Sequence, residues 1–509
     1  MFLLQQTQTF DDRINEQFGN ATSWFTDAIF AEIPITDSVG VPWVLIVLIL
    51  GASYFTIYFK GINFRGFFTA IQVVRGKYDT LEEDKVVLSS KSVSTIYGDN
   101  SDTIRVEGEG EVSHFQALTA AISATVGLGN IAGVAIALSI GGAGATFWMV
   151  LIGFLGMASK FVECTLGVKY READADGIIF GGPMYYLKKG LRESGMPKFG
   201  KVLAIVFAIM CIGGSFGGGN MFQVNQAFKL FEHVTGAEQS FIYGKGWIFG
   251  FVMAVLVGVV IIGGIKKIAN VTDKVVPFMV LLYLLAVLTI LGLNFREIPN
   301  AIMAIWDGAF SPLGVTGGVV GVLIQGFKRA AFSNEAGIGS SSIAHSAVKT
   351  KYPASEGLVA LLEPFIDTVV VCTMTALVLI ITVQIVPGTV LSDEEGVLLT
   401  ASALESGVSW FPYLLSMAVI LFAFSSMISW SYYGYQAWSY LFGRDKRYEY
   451  VYKVMFCMFT ILGAAITLSS VTLFSDAMVF AMLVPNMIGL FILKDKVKEE
   501  LSKYLKLIK

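Results

Sequence analysis

The sequence predicts an all-α polytopic membrane protein: two sets of five spanning helices that enter the bilayer from opposite sides, preceded by one extra helix. Three observations carry that prediction. Of the 509 residues, 55% are hydrophobic and only 15% are charged, whereas water-soluble domains carry about 25% charged residues. Eleven apolar segments reach roughly the 20 residues that a spanning helix needs, and Lys and Arg collect in every second loop between them. Two of the segments are interrupted by glycines and polar residues, and each interrupted segment is the first of its set of five.

Taken in order, residues 1–41 are acidic and show neither the basic n-region nor the apolar run of a signal peptide, so the chain is expected to insert through its own helices. The apolar segments are 42–60, 115–142, 144–168, 202–231, 247–265, 275–294, 316–349, 355–385, 408–440, 449–470 and 474–493. Residues 62–77, "INFRGFFTAIQVVRGK", read as an amphipathic interfacial helix, which makes 42–77 a unit of extra span and surface helix. Residues 78–113 are a polar insertion, and "GGPMYYLKKGLRESG" at 181–195 reads as a second surface helix. The two sets of five occupy 114–294 and 295–494, and 495–509 is a basic tail.

Charge sets the orientation. Lys60, Arg65, Arg75 and Lys77 follow the first span, Lys169 to Lys201 the third, Lys266 and Lys267 the fifth, Lys349 and Lys351 the seventh, and Arg444, Lys446 and Arg447 the ninth. All follow odd-numbered spans, while "SDEEG" at 392–396 and the acidic N-terminal segment lie opposite. The N-terminus is therefore expected outside and the C-terminus in the cytoplasm, as a multi-pass protein of the plasma (inner) membrane.

Several function classes are disfavoured. The net charge of −3, with no basic cluster interleaved with aromatics, argues against nucleic acid. The four cysteines form no CxxC pair, and the three histidines are not paired at i, i+4, so no metal site other than one for Na⁺ is expected. HExxH does not occur and an enzyme is not expected; no repeated filter motif supports a channel.

The interruptions carry the chemistry. "SATVGLGNIAGVA" (123–135) breaks the second span, and "FSNEAGIGSSS" (332–342) breaks the seventh. Exposed backbone at membrane depth is tolerated only where it lines a cavity or is buried in protein. Glycines also permit close helix packing, which accounts equally well for Gly133, Gly141 and Gly142. That account fails at 332–342, where a carboxylate, an amide and hydroxyls accompany the glycines. A paired interruption in two inverted repeats points to a transporter's midplane site. The half-helix starting near Gly129 offers N–H groups to a carboxylate, and carbonyls near Thr125, Phe332 and Ser333 suit a cation. An α-amino acid has both ends. Ser425 and Ser426 could add oxygens for Na⁺, although such hydroxyls often bond back to their own helix. In the fourth span, "GGSFGGGNMFQVNQ" (213–226) fits either a close backbone approach leading to Gln223 or a tight helix crossing.

The motifs "SHFQALTAAISATVGLGNIAGVA", "GGAGATFWM", "GGPMYYL", "GGNMFQVNQ", "FSNEAGIGSSSIAHSA", "FIDTVVVCTMTALV" and "FSSMISWSYYG", in this order, make the chain resemble the alanine/glycine:cation symporter family from about residue 40 onward. The resemblance implies a LeuT-like 5+5 inverted-repeat fold plus one N-terminal helix. It also implies substrate contacts from Thr125, Leu128 and Gly129, from Gly218 and Gln223, from Phe332, Ser333, Asn334 and Glu335, and from Ser426. Sodium, the implied coupling ion, would sit between the carbonyls of Ser123 and Val126 and the hydroxyls of Ser425 and Ser426. No organic cofactor is implied; the expected partners are a small amino acid and membrane lipid. Family members often carry Thr where this chain has Leu128, and Thr where it has Ser426, and the first departure bears on substrate choice.

The function expected is sodium-coupled import of alanine or glycine by alternating access. The alternative is a cation- or proton-coupled carrier of another small amino acid. Glu163 and Asp367 are expected to make structural hydrogen bonds to a break. Glu335 is expected either to touch substrate or to pair with Lys328 or Arg329, and His114 and His345 to cap helix ends.

Overall fold

The computed structural model describes residues 22–36, 39–79, 81, 110–174, 177–310, 318–383 and 395–508. Most of the polar insertion, the first 21 residues and part of the acidic loop around 392–396 lie outside the described residues.

A short antiparallel hairpin, β1 (Glu32–Thr36) and β2 (Val39–Pro42), leads into α1 (Trp43–Tyr58). The expected surface helix follows as a turn, Ile62–Arg65, and α2 (Phe67–Val74). Helix α3 (His114–Thr125) starts at a capping box: Ser113 Oγ accepts from Gln116 N at 3.2 Å, and Gln116 Oε1 accepts from Ser113 N at 3.1 Å. It ends at the first break and, after a 3₁₀ turn at Leu128–Asn130, continues as α4 (Ala132–Gly141), bent by 55°.

Helix α5 (Ala145–Lys169), a small hairpin of β3 (Glu172–Ala173) and β4 (Ile179–Phe180), and surface helix α6 (Pro183–Glu193) come next. Then α7 (Pro197–Phe216) passes through a π-helical turn, Gly217–Met221, into α8 (Phe222–Val234). Helices α9 (Gly246–Ile261), α10 (Gly264–Leu293) and α11 (Ile298–Phe310) precede the second broken segment, α12 (Gly318–Asn334) and α13 (Ser341–His345). Helix α14 (Pro353–Ala360) runs through a π-helical stretch, Phe365–Cys372, to α15 (Thr373–Thr382). Helices α16 (Glu395–Gly407), α17 (Phe411–Phe442), α18 (Lys446–Gly463) and α19 (Leu468–Leu507) complete the chain.

Among the described residues, six helices are long and apolar enough to cross a membrane, and the bent pair α3–α4 makes a seventh. Helices α1 and α9 are apolar but shorter, and α12 has 17 residues. The chain is an integral multi-pass membrane protein. Helices α11 and α16 occupy segments in which the sequence analysis places no element; each has 13 residues, too few for a span.

Packing brings the two breaks together. Helix α3 packs on α10 and α17, α4 packs on α12 and α16, and α5 packs on α1, α12 and α14. Broken helices leave backbone donors and acceptors unpaired. Here side chains from other helices meet some of them: Gln223 of α8 accepts from Leu128 N, and Asn486 of α19 donates to Gly337 O.

Candidate functional site

At the first break, Val126 is the last residue whose amide reaches back into α3, to Ile122 O at 2.7 Å. Gly127 turns the chain at φ −141, ψ −147, and its N–H is met by Asn130 Oδ1 at 2.9 Å. A Cβ on Gly127 would lie 2.5 Å from Ser426 Oγ and 3.1 Å from Gln223 Oε1, so no side chain fits there. Leu128 N donates to Gln223 Oε1 at 3.2 Å, and Gln223 Nε2 donates to Gly218 O at 3.0 Å. One glutamine thus ties the first break to the π-helical turn in α7–α8.

The second break runs from Glu335 to Ser340, between α12 and α13. Glu335 is in the left-handed region at φ 56, and Gly337 and Gly339 follow at φ 82 and 98. A non-glycine in that conformation costs about 1–2 kcal/mol and persists only where its surroundings fix it. They do so here. Glu335 Oε1 accepts from Trp430 Nε1 at 3.1 Å and Oε2 from the Ser340 hydroxyl. Asn334 caps the turn, its Oδ1 accepting from Ala336 N at 2.9 Å and its Nδ2 donating to Thr368 Oγ1 at 2.8 Å.

A buried carboxylate joins the two breaks. Asp367, in the π-helical stretch before α15, accepts from Asn130 Nδ2 at 2.7 Å, from Ser333 Oγ at 2.8 Å and from Thr368 Oγ1 at 2.7 Å. Glu163 has a comparable place behind the second break, where Asn486 Nδ2 bridges Glu163 Oε2 at 3.0 Å and Gly337 O at 2.8 Å.

Between the breaks lies a small cavity of about 10 Å³, lined by Ala124, Thr125, Gly129, Gly218, Gln223, Phe332, Glu335, Trp430 and Val479. Six of the ten residues expected around a substrate therefore converge on it: Thr125, Gly129, Gly218, Gln223, Phe332 and Glu335. Leu128, Ser333, Asn334 and Ser426 do not line it. Leu128 is buried beside it, Ser333 is turned to Asp367, Asn334 to Thr368, and Ser426 Oγ donates to Ser123 O at 3.0 Å. Trp430, missed by the sequence analysis, stands four residues after Ser426 on α17 and so follows it on the same helix face. The glycine triplet is a close approach: a Cβ on Gly219 would overlap the Trp430 indole, whereas Gly218 faces the cavity.

Of the residues expected around sodium, three cluster. Ser123 Oγ donates to Ser425 O at 2.7 Å, and Ser426 Oγ donates to Ser123 O. The Ser425 hydroxyl bonds back into its own helix, to Phe422 O at 3.0 Å. Val126 terminates α3 one turn further on.

Two expectations require correction. Glu335 does not pair with Lys328 or Arg329. Lys328 Nζ lies 3.2 Å from Asp476 Oδ2, Arg329 Nη2 contacts the same oxygen, and both side chains therefore point to α19. His114 and His345 do not cap helix ends. Both bond the buried Glu356, with His345 Nδ1 2.5 Å from Glu356 Oε1, and His345 Nε2 lies 3.4 Å from Glu363 Oε2. Lys160 Nζ closes the cluster at 2.9 Å from Glu363 Oε1. Burial of these charges demands partners from other helices, which linear spacing does not reveal.

Comparison with known proteins follows the same lines. The model described as the sodium:alanine symporter family matches residues 26–509. The chain is 41% identical over 398 residues, 78% of its own length and 85% of the relative's, to the "Sodium/alanine symporter AgcS" of Methanococcus maripaludis. It is 32% identical over 397 residues, covering 77% of this chain and 78% of the relative, to the "Probable sodium/glutamine symporter GlnT" of Bacillus subtilis. Among solved structures, it is similar to MhsT in complex with L-phenylalanine, with a TM-score of 0.57 and 16% identity over 77% of this chain and 93% of that one. That last likeness concerns the fold alone, which is LeuT-like.

Proposed function

We propose that this chain, which belongs to the sodium:alanine symporter family, imports alanine or glycine together with Na⁺ by alternating access about the cavity between its two broken helices. The family is one of sodium-coupled transporters and not of enzymes. The observation that carries the reading is the convergence of both breaks on one buried cavity bearing a carboxylate, an amide and aromatic walls.

In this reading the substrate ammonium meets Glu335 and the carbonyls that end α3. The substrate carboxylate meets the first turn of the second half-helix at Gly129, because the Leu128 amide is already taken by Gln223. Sodium, as co-transported cargo, takes the carbonyls of Ser123 and Val126 with the hydroxyl of Ser426, and Asp367 offers a second oxygen-rich position touching both breaks. Binding there organises the first break and so prepares the substrate site.

Size favours alanine and glycine over glutamine, the substrate printed in one relative's name. A cavity of about 10 Å³ holds about one water, so even alanine must displace Phe332 or Trp430. Each further methylene enlarges that displacement. Eleven crossings, two inverted sets of five preceded by one extra helix, with the N-terminus outside, complete the proposal.

The test is uptake of labelled alanine into proteoliposomes under an inward Na⁺ gradient, against a K⁺ control, with glycine, D-alanine, serine, glutamine and leucine as competitors. Na⁺-dependent uptake blocked by glycine but not by glutamine or leucine is expected. Block by glutamine at the same concentration as glycine replaces the small-substrate reading with a wider one.

A further inference from the structure

A second pocket, of about 370 Å³, opens between α6, the start of α7 and the end of α17. It has no part in the transport site. Its polar wall is cationic: Lys188 from α6, Lys201 from α7 and Arg444 just after α17. One carboxylate, Glu172, belongs to it, and that group is already engaged. Arg444 Nη2 donates to Glu172 Oε2 at 2.7 Å, and Lys189 Nζ lies 3.3 Å from Glu172 Oε1. Burial pushes the Glu172 carboxyl up, but Lys189 and Arg444 beside it hold it below the usual carboxylate range. Four cations thus surround one anion. Lys188 stands 5.7 Å from the Tyr440 ring, Arg444 stacks 3.9 Å over Phe180, and Lys201 has no carboxylate partner among the described residues.

An apolar stripe begins on α7 next to the pocket-lining Lys201. From Lys201, α7 turns Val202, Val206 and Ile209 outward at i, i+4, i+7 spacing, exposed by 57%, 37% and 49%. On a multi-pass membrane protein such a stripe meets acyl chains. The cations stand where it begins, which is the level of lipid headgroups, and long basic side chains reach that level readily.

We propose that this pocket binds an anionic glycerophospholipid, its phosphodiester held by Lys188, Lys201 and Arg444 and an acyl chain laid along Val202, Val206 and Ile209. Two ammonium groups, with the charge and remaining donors of Arg444, match a phosphate, and basic pockets between helices are suited to anionic headgroups. The adjoining stripe favours a lipid over a soluble phosphate.

The test is native mass spectrometry of the full chain in detergent, titrated with dioctanoyl phosphatidylglycerol, dioctanoyl phosphatidylcholine or glycerol phosphate. Phosphatidylglycerol is expected to bind at least tenfold more tightly than phosphatidylcholine. K188Q/K201Q is expected to lower that preference at least fivefold, and K266Q/K267Q, elsewhere on the basic side, to leave it unchanged. Equal binding of the two lipids by the unaltered protein overturns the proposal without recourse to any variant. An unchanged preference in a monodisperse K188Q/K201Q protein also overturns it, as does glycerol phosphate competing as well as the lipid.

Discussion

At Gly127 a single missing side chain sustains the first break. Adding a methyl there displaces Ser426 Oγ from its bond to Ser123 O and crowds Gln223 Oε1. Gly127→Ala should therefore lower Na⁺-driven uptake at least tenfold at unchanged membrane abundance. Gly133, six residues on, has open space where its Cβ would be. Alanine is favoured over glycine in a helix by about 1 kcal/mol, so Gly133→Ala should leave uptake within twofold. Equal effects from the two variants, assayed side by side in proteoliposomes, would remove the argument from local geometry. Asp367 is the other decisive residue. Its carboxylate accepts one bond from each broken segment and a third from the adjacent Thr368, and an amide cannot accept on its nitrogen. Asp367→Asn is expected to raise the Na⁺ concentration for half-maximal uptake about tenfold; an unchanged Na⁺ dependence would reduce Asp367 to a mechanical tie.

Between elements, buried ion pairs hold the second broken segment in place. Asp476 on α19 receives both Lys328 and Arg329 from α12. Removing one partner of a buried pair costs about 3–5 kcal/mol, whereas replacing the pair by apolar groups is often neutral. Asp476→Ala should accordingly lower the thermal unfolding midpoint in detergent, and the double change Arg329→Met with Asp476→Leu should recover part of the loss. A midpoint unmoved by Asp476→Ala would show that α12 is held by its apolar packing. The tight passages in the second break obey the same logic of contact: a Cβ on Gly337 would overlap Met487 of α19, and one on Gly339 would come 2.8 Å from Pro183 of α6.

For the whole molecule, the proposed sodium and substrate sites share the same two breaks, so binding at one should be linked to binding at the other. If Na⁺ improves alanine affinity by some factor, alanine improves Na⁺ affinity by the same factor. Titration calorimetry of alanine with and without Na⁺, and of Na⁺ with and without alanine, should return equal factors well above one. A factor of one in both directions separates the sodium sites from the substrate site. The pair together should also raise the unfolding midpoint more than either alone, because both bind the folded state.

The sequence by itself determined that the chain lies in a membrane, where two of its helices break, and which residue types attend each break. Composition, run length and glycine placement are properties of the line, and Gly127, Gly337 and Gly339 sit where the chain turns. The family resemblance of its motifs pointed to Thr125, Gly218, Gln223, Phe332 and Glu335, which the fold brings to one cavity. Only the tertiary structure decided that Trp430 stands among them, that Asp367 joins the breaks, that Asp476 takes the cations expected at Glu335, and that Glu356 takes both histidines. Most of these contacts span helices far apart in sequence. A charge buried in a membrane protein must find its partner wherever packing supplies one, and spacing along the chain carries no record of that choice.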